Sequence, residues 1–234
     1  MEILYEDNHL IIVNKRSGEI VQSDKTGDIP LEQSVKDYLK KKYHKPGEVF
    51  LGVVHRVDRP VSGVVMFART SKSLERLNRM FQEKAIRKTY WAIVKERPPK
   101  ESDTLVHYIE RNTHKNRSYA HIKEKANTKK AILHYRHIAS SDRYHLLEID
   151  LETGRHHQIR CQLGAIGCPI RGDLKYGYPR SNPDAGIHLH ALQICFKHPV
   201  KDEEITITAP LPDDVLWHAF KDKLPEFSQN RSNH

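Results

Sequence analysis

The segment HRVDRPVSG, from His55 to Gly63, sets one carboxylate, Asp58, between two arginines, Arg56 and Arg59, and follows it with a proline and a glycine turn. Nearby positive charge favours the ionised form of such a group, which makes Asp58 a candidate nucleophile or base. Two other segments can join it in a site. RKTYWAIV carries Tyr90 on a strand pattern, and LETGRHHQIR gathers Arg155, His156, His157 and Arg160 around an expected helix start. In that helix His156 and Arg160 stand four apart and share a basic face, while Ile159 and Leu163 turn to the core. Its N-terminus near Gly154 offers backbone N–H groups to phosphate or carboxylate. Each feature also has an ordinary explanation. An Asp between arginines is commonly a surface ion pair, and a Tyr beside Trp91 is commonly core packing. Arg56 and Arg155 both suit plain phosphate contacts. His188 and His190 alternate on one strand face, but no Cys or carboxylate completes a recognisable metal set with them.

The elements that must hold these groups are readable from period and punctuation. ILYED and HLIIVNK read as strands, as does VVMFA directly after the Asp58 loop. LEQSVKDYLKKKYH places Leu31, Val35, Tyr38 and Leu39 on one helical stripe, and a second amphipathic helix is expected from Ser71, with that serine as its cap. KTYWAIVKE is a strand, the stretch from Asp103 to Leu151 an antiparallel meander, and the pattern turns helical after Gly154. IHLHALQICF and EITITA form a final pair of strands before a short helix around Val215 to Phe220. The polar tail LPEFSQNRSNH is expected to fray.

Composition narrows the partners. Lys and Arg number 39 against 30 Asp and Glu, a net charge of +9 with a pI near 9.4, which favours a polyanion and above all nucleic acid. No apolar run reaches the length of a membrane span, and Met1 opens without a signal-peptide layout, so a cytoplasmic protein is expected. Cys161, Cys168 and Cys195 are odd in number and lack zinc-type spacing, so reduced thiols are expected.

Taken together, the motifs resemble those of the RluA-type RNA pseudouridine synthases. HRVDRPVSG resembles their HRLD-x-x-TSG signature, RKTYWAIV their K-x-Y-x-A strand, and LETGRHHQIRCQLGAIGCPIRGDLKYG their L-x-TGR-x-HQIR block with its GD-x-x-YG; HLHALQICFKHP is similar to their late LHA strand. Val57 stands where the family has Leu, Val61 where it has Thr, and Arg16 where it commonly has Pro. The resemblance implies a cofactor-free isomerisation of uridine to pseudouridine, in which the glycosidic bond breaks, the uracil turns and is rejoined through carbon 5. It makes Asp58 nucleophile or base, pairs Arg160 with it, stacks Tyr90 on the uracil, and sends Arg56 into the gap left by the flipped nucleotide. Arg155, His157 and Leu189 join Arg56 as substrate-binding residues. The small S4-type domain that precedes this region in some members is not expected before Glu2.

The expectation is therefore a mixed α/β (α+β) domain over residues 1–221 and a polar tail over 222–234. A central, largely antiparallel sheet is flanked by helices and bears a basic active-site cleft. The partner is structured tRNA or rRNA, with no membrane, no metal and a monomeric state. The alternatives are a noncatalytic RNA-binding module and an N-glycosidic hydrolase in which water intercepts the intermediate.

Overall fold

The computed structural model describes residues 1–24 and 26–224. Two strands open the chain, β1 (Glu2–Glu6) and β2 (Leu10–Lys15), joined by a turn in which the Asp7 carboxylate accepts from His9 N and Leu10 N. Helix α1 (Leu31–Lys42) buries Leu31, Val35 and Leu39, the expected stripe less the partly exposed Tyr38. The short β3 (Gly52–Val53) and the wholly buried β4 (Ser62–Ala68) flank the Asp58 loop. Helix α2 (Ser71–Gln82) is capped by Thr70, whose hydroxyl accepts from Ser73 N, and not by Ser71. The cap must keep extended backbone while its oxygen reaches back into the first turn, and Thr70 has that conformation.

From Arg87 the chain builds an antiparallel sheet, but not the expected meander, because its strands do not all pair in chain order. Its strands are β5 (Arg87–Val94), β6 (Ser102–Asn112), β7 (Arg117–His121), β8 (Thr128–Ser140) and β9 (His145–Leu151). Period-two burial along β6 and β8 puts Leu105, His107 and Ile109 on the same face as Ala131, Leu133 and Tyr135. Helix α3 (Gln158–Ala165) packs there, with Cys161 against Ile109 and Ala131. A 3-10 turn at Leu174–Tyr176 follows. The chain then runs into β10 (Leu189–Lys197), β11 (Glu204–Thr208) and helix α4 (Val215–Lys221), capped by Asp214.

Two compact units result. The first comprises residues 1–88 with the returning stretches 184–186 and 191–210; β2 pairs with β1 and β4, and β11 with β10. Its core joins Leu10, Ile12, Val64, Met66, Leu77, Ile194 and Phe196. The second comprises residues 89–183, 187–190 and the chain from 211, and carries the strand order β5-β9-β8-β6-β7. The ladders β2·β4, β5·β9, β6·β7, β6·β8 and β8·β9 are all antiparallel, so the fold class is the expected mixed α/β with a large antiparallel sheet. Most of the polar tail lies outside the described residues.

Candidate active site

The first unit presents Asp58 on a loop clamped from below. Lys15 ends β2, pairs in register with Gly63, and is wholly buried. Its ammonium donates to the carbonyls of Arg16 and Arg59, each at 3.0 Å, and of Val61 at 2.6 Å. Gly18 N donates to Arg59 O at 2.9 Å and Val61 N to Asp58 O at 3.0 Å, which closes the turn around the proline. Burial pushes the Lys15 ammonium down to about 8, while Glu19 and then Asp58 pull it back up. Lys15 is thus a cation beneath the loop. Arg59 holds Asp28 at 2.6 Å, and Arg56 is exposed.

Both ends of this loop are fixed as well. His55 Nε2 accepts from Met66 N at 3.0 Å, and its ring stacks on Phe81 at 5.3 Å. Burial, then the charge of Lys88, pushes this imidazole down to about 3, so it sits neutral. At the far end Gly63 has φ +112°, and a Cβ there would lie 2.2 Å from the carbonyl oxygen of Ala191. Only glycine allows that approach.

The second unit presents Arg160. The expected helix from Gly154 does not form: α3 starts at Gln158, and His157 precedes it in a left-handed conformation at φ 52°. The Gln158 side chain accounts for the delay. Its Oε1 accepts from Thr153 Oγ1 and Arg155 N, and its Nε2 donates to Ile132 O, so the TGRHH stretch is tied to β8 at Ile132. His156 is consequently outside the helix and shares no helical face with Arg160. Nor is that face basic and solvated, because residues Gln158 through Leu163 are all buried.

Buried Arg160 is held at two points by Asp173, Nε to Oδ2 at 2.7 Å and Nη2 to Oδ1 at 2.9 Å. The guanidinium also lies 5.1 Å over the Tyr176 ring. Tyr176 OH accepts from Ser118 N and pairs with His157 Nδ1, both at 2.8 Å. Burial, then Arg160, drives the His157 ring down to about 2. The 3-10 turn comes this close because Gly164 of α3 has no side chain; a Cβ would meet Tyr176 O at 2.9 Å.

Tyr90 is buried on β5 opposite Ile149. Leu189 is buried at the start of β10. Arg155 is exposed, and its Nε donates to Lys130 O. Among the described residues no group of three or more His, Cys, Asp or Glu is placed to hold a metal, and no helix is long and apolar enough to cross a membrane.

Comparison with known proteins decides the family. The model of the RNA pseudouridylate synthase family matches residues 9–165. The chain belongs to that family. The RluA-type resemblance of its motifs holds: a ribosomal large subunit pseudouridine synthase C of Rickettsia felis is 34% identical, over 90% of this chain and 67% of the relative. A tRNA pseudouridine synthase C of Pectobacterium carotovorum is 31% identical over 97% of this chain, which spans only 64% of that relative. Human RNA Pseudouridylate Synthase Domain Containing 4 has the same fold, with a TM-score of 0.78 at 23% identity over 97% of this chain and 93% of the other.

Two site residues escaped the sequence reading. Asp173 lies within the GD-x-x-YG block, yet nothing local says that its carboxylate faces Arg160. Lys15 left a clearer signal, a lysine ending the apolar strand LIIVNK one turn ahead of a glycine.

Proposed function

We propose that this chain, as a pseudouridine synthase domain over residues 1–221, isomerises specific uridines in structured transfer or ribosomal RNA without a cofactor. The observation that carries the reading is the Asp58 loop, braced by a buried ammonium on three carbonyls and by a glycine that tolerates no substitute. Such bracing suits a nucleophile or base that must meet one sugar-base bond in one orientation. Arg160 pairs with Asp58 in this reading, Tyr90 stacks on the uracil, and Arg56 enters the space of the flipped nucleotide. Arg155, His157 and Leu189 complete the substrate-binding set. Family membership favours this reaction over a noncatalytic module or a hydrolase. The protein acts as a monomer in the cytoplasm.

The test is a pseudouridine map of cellular RNA from cells with and without the protein, beside the same map of naked RNA treated with the purified chain. One or more uridines are expected to lose modification in the first comparison and regain it in the second. Free uracil or shortened RNA in place of pseudouridine would mean hydrolysis.

A further inference from the structure

More than half of the net charge of +9 lies in one stretch of the second unit, where residues 110 to 130 carry seven Lys and Arg against two Glu. These residues form the far end of β6, all of β7, and the start of β8. Helix α3 covers one face of this end. The opposite face is uncovered, and the register places Tyr108 across from both His121 and Lys130, with Tyr119 two pairs along, across from Glu110. Tyr108 and Tyr119 are therefore diagonal neighbours, roughly 7–8 Å apart on the same face. Both are partly exposed, beside Val106 at 44%. Arg117 lies 5.4 Å from the Tyr119 ring, and Lys125 reaches His121, which in turn holds Glu110. Lys123, Lys125 and Lys130 are exposed.

Paired aromatic rings on an antiparallel sheet, ringed by cations, match the chemistry of a single nucleic-acid strand: π-faces for its bases and positive charge for its phosphates. We propose that this face binds a single-stranded RNA segment by stacking bases on Tyr108 and Tyr119 while Lys123, Lys125 and Lys130 take the phosphates. The proposal rests on the RNA-modifying reading and adds a second contact region, opposite the sheet face that α3 and Arg160 occupy. Glu110, held by His121, and Glu124 are outnumbered by the seven Lys and Arg of the stretch, so the patch stays positive.

Binding to labelled oligouridine and to a labelled RNA duplex, followed over a salt series, tests it without relying on turnover. The double variant Tyr108→Ala/Tyr119→Ala is expected to lose roughly ten-fold or more in affinity for oligouridine with an unchanged salt slope, and little for the duplex. Tyr108→Phe/Tyr119→Phe is expected to bind as wild type, which separates lost stacking from a damaged fold. Lys123→Gln/Lys125→Gln is expected to flatten the salt slope by roughly 0.7 per lysine on the single strand. Wild-type affinity in the Ala pair, or an equal loss on oligouridine and duplex, overturns the proposal. A chain that binds as expected yet makes no pseudouridine overturns the proposed function and leaves this surface standing.

Discussion

Arg160 and Asp173 meet side on, two nitrogens to two oxygens, with side chains only 6% and 1% exposed. Removing one partner from such a pair strands a buried charge, at about 3–5 kcal/mol. Asp173→Asn should therefore lower the melting temperature and, by loosening Arg160, reduce turnover. Arg160→Met should lose more activity than Arg155→Met, whose guanidinium is exposed. Thermal melts beside turnover assays check both statements, and equal losses at 155 and 160 would detach Arg160 from the reaction.

Asp58→Asn is close to isosteric and removes only the ionised oxygen. Isomerisation should vanish while folding and RNA affinity stay nearly intact. Tritium release from RNA labelled at uridine carbon 5 measures the loss; appreciable turnover by the variant would exclude Asp58 as the reacting group.

Lys15→Met takes the donor from three loop carbonyls, a loss of about 2 kcal/mol or more, and should slow turnover further than the drop in stability explains. A pH signature accompanies it. The folded lysine titrates near 8 and the unfolded one near 10.5, so between those values the unfolded chain binds more protons and wild-type stability rises with pH. Denaturant titrations across that window should show the rise in wild type and its absence in Lys15→Met.

His55 and His157 behave as an acid-labile pair. Unfolded imidazoles take up protons below 6.5, whereas the folded rings resist until about 3 and about 2. Stability from both is complete above pH 6.5 and falls as the pH drops, each ring contributing roughly 1.4 kcal/mol per pH unit. His55→Gln, whose amide oxygen can accept from Met66 N, should remove about half of this slope in denaturation curves below pH 6.5. An unchanged slope would show that His55 protonates without unfolding.

If Arg56 replaces the flipped nucleotide, Arg56→Ala should slow single turnover most on a stacked, structured RNA and least on a short unstructured one. An equal penalty on both, with a flatter salt dependence of binding, would make Arg56 a phosphate contact.

Much of this architecture was legible in advance because burial writes a period into the sequence. The runs LIIVNK and VVMFA, and the stripe through Leu31, Val35 and Leu39, each had one structural solution. The start of α3 was not legible, because the Gln158 side chain diverts the TGRHH backbone through bonds to Thr153 and Ile132, and one of those partners is 26 residues away. Asp173 was hidden for a similar reason: its pairing with Arg160 depends on a turn brought close by Gly164. The cap of α2 failed by one residue, where Thr70 and Ser71 are chemically equivalent and only backbone conformation separates them.

The contact of Gly63 with Ala191 also constrains the order of events at the ribosome. The first unit is interrupted after residue 88 and is completed only by the stretches that return from 184 onward. At ordinary translation speed, roughly 6–27 s pass between emergence of the Asp58 loop and arrival of its neighbour on β10. Until then Asp58 rides on an unfinished support, so a truncated or stalled chain should hold its loop open to protease. Competence arrives only near the end of synthesis, when the last stretch of the first unit closes against a glycine made long before.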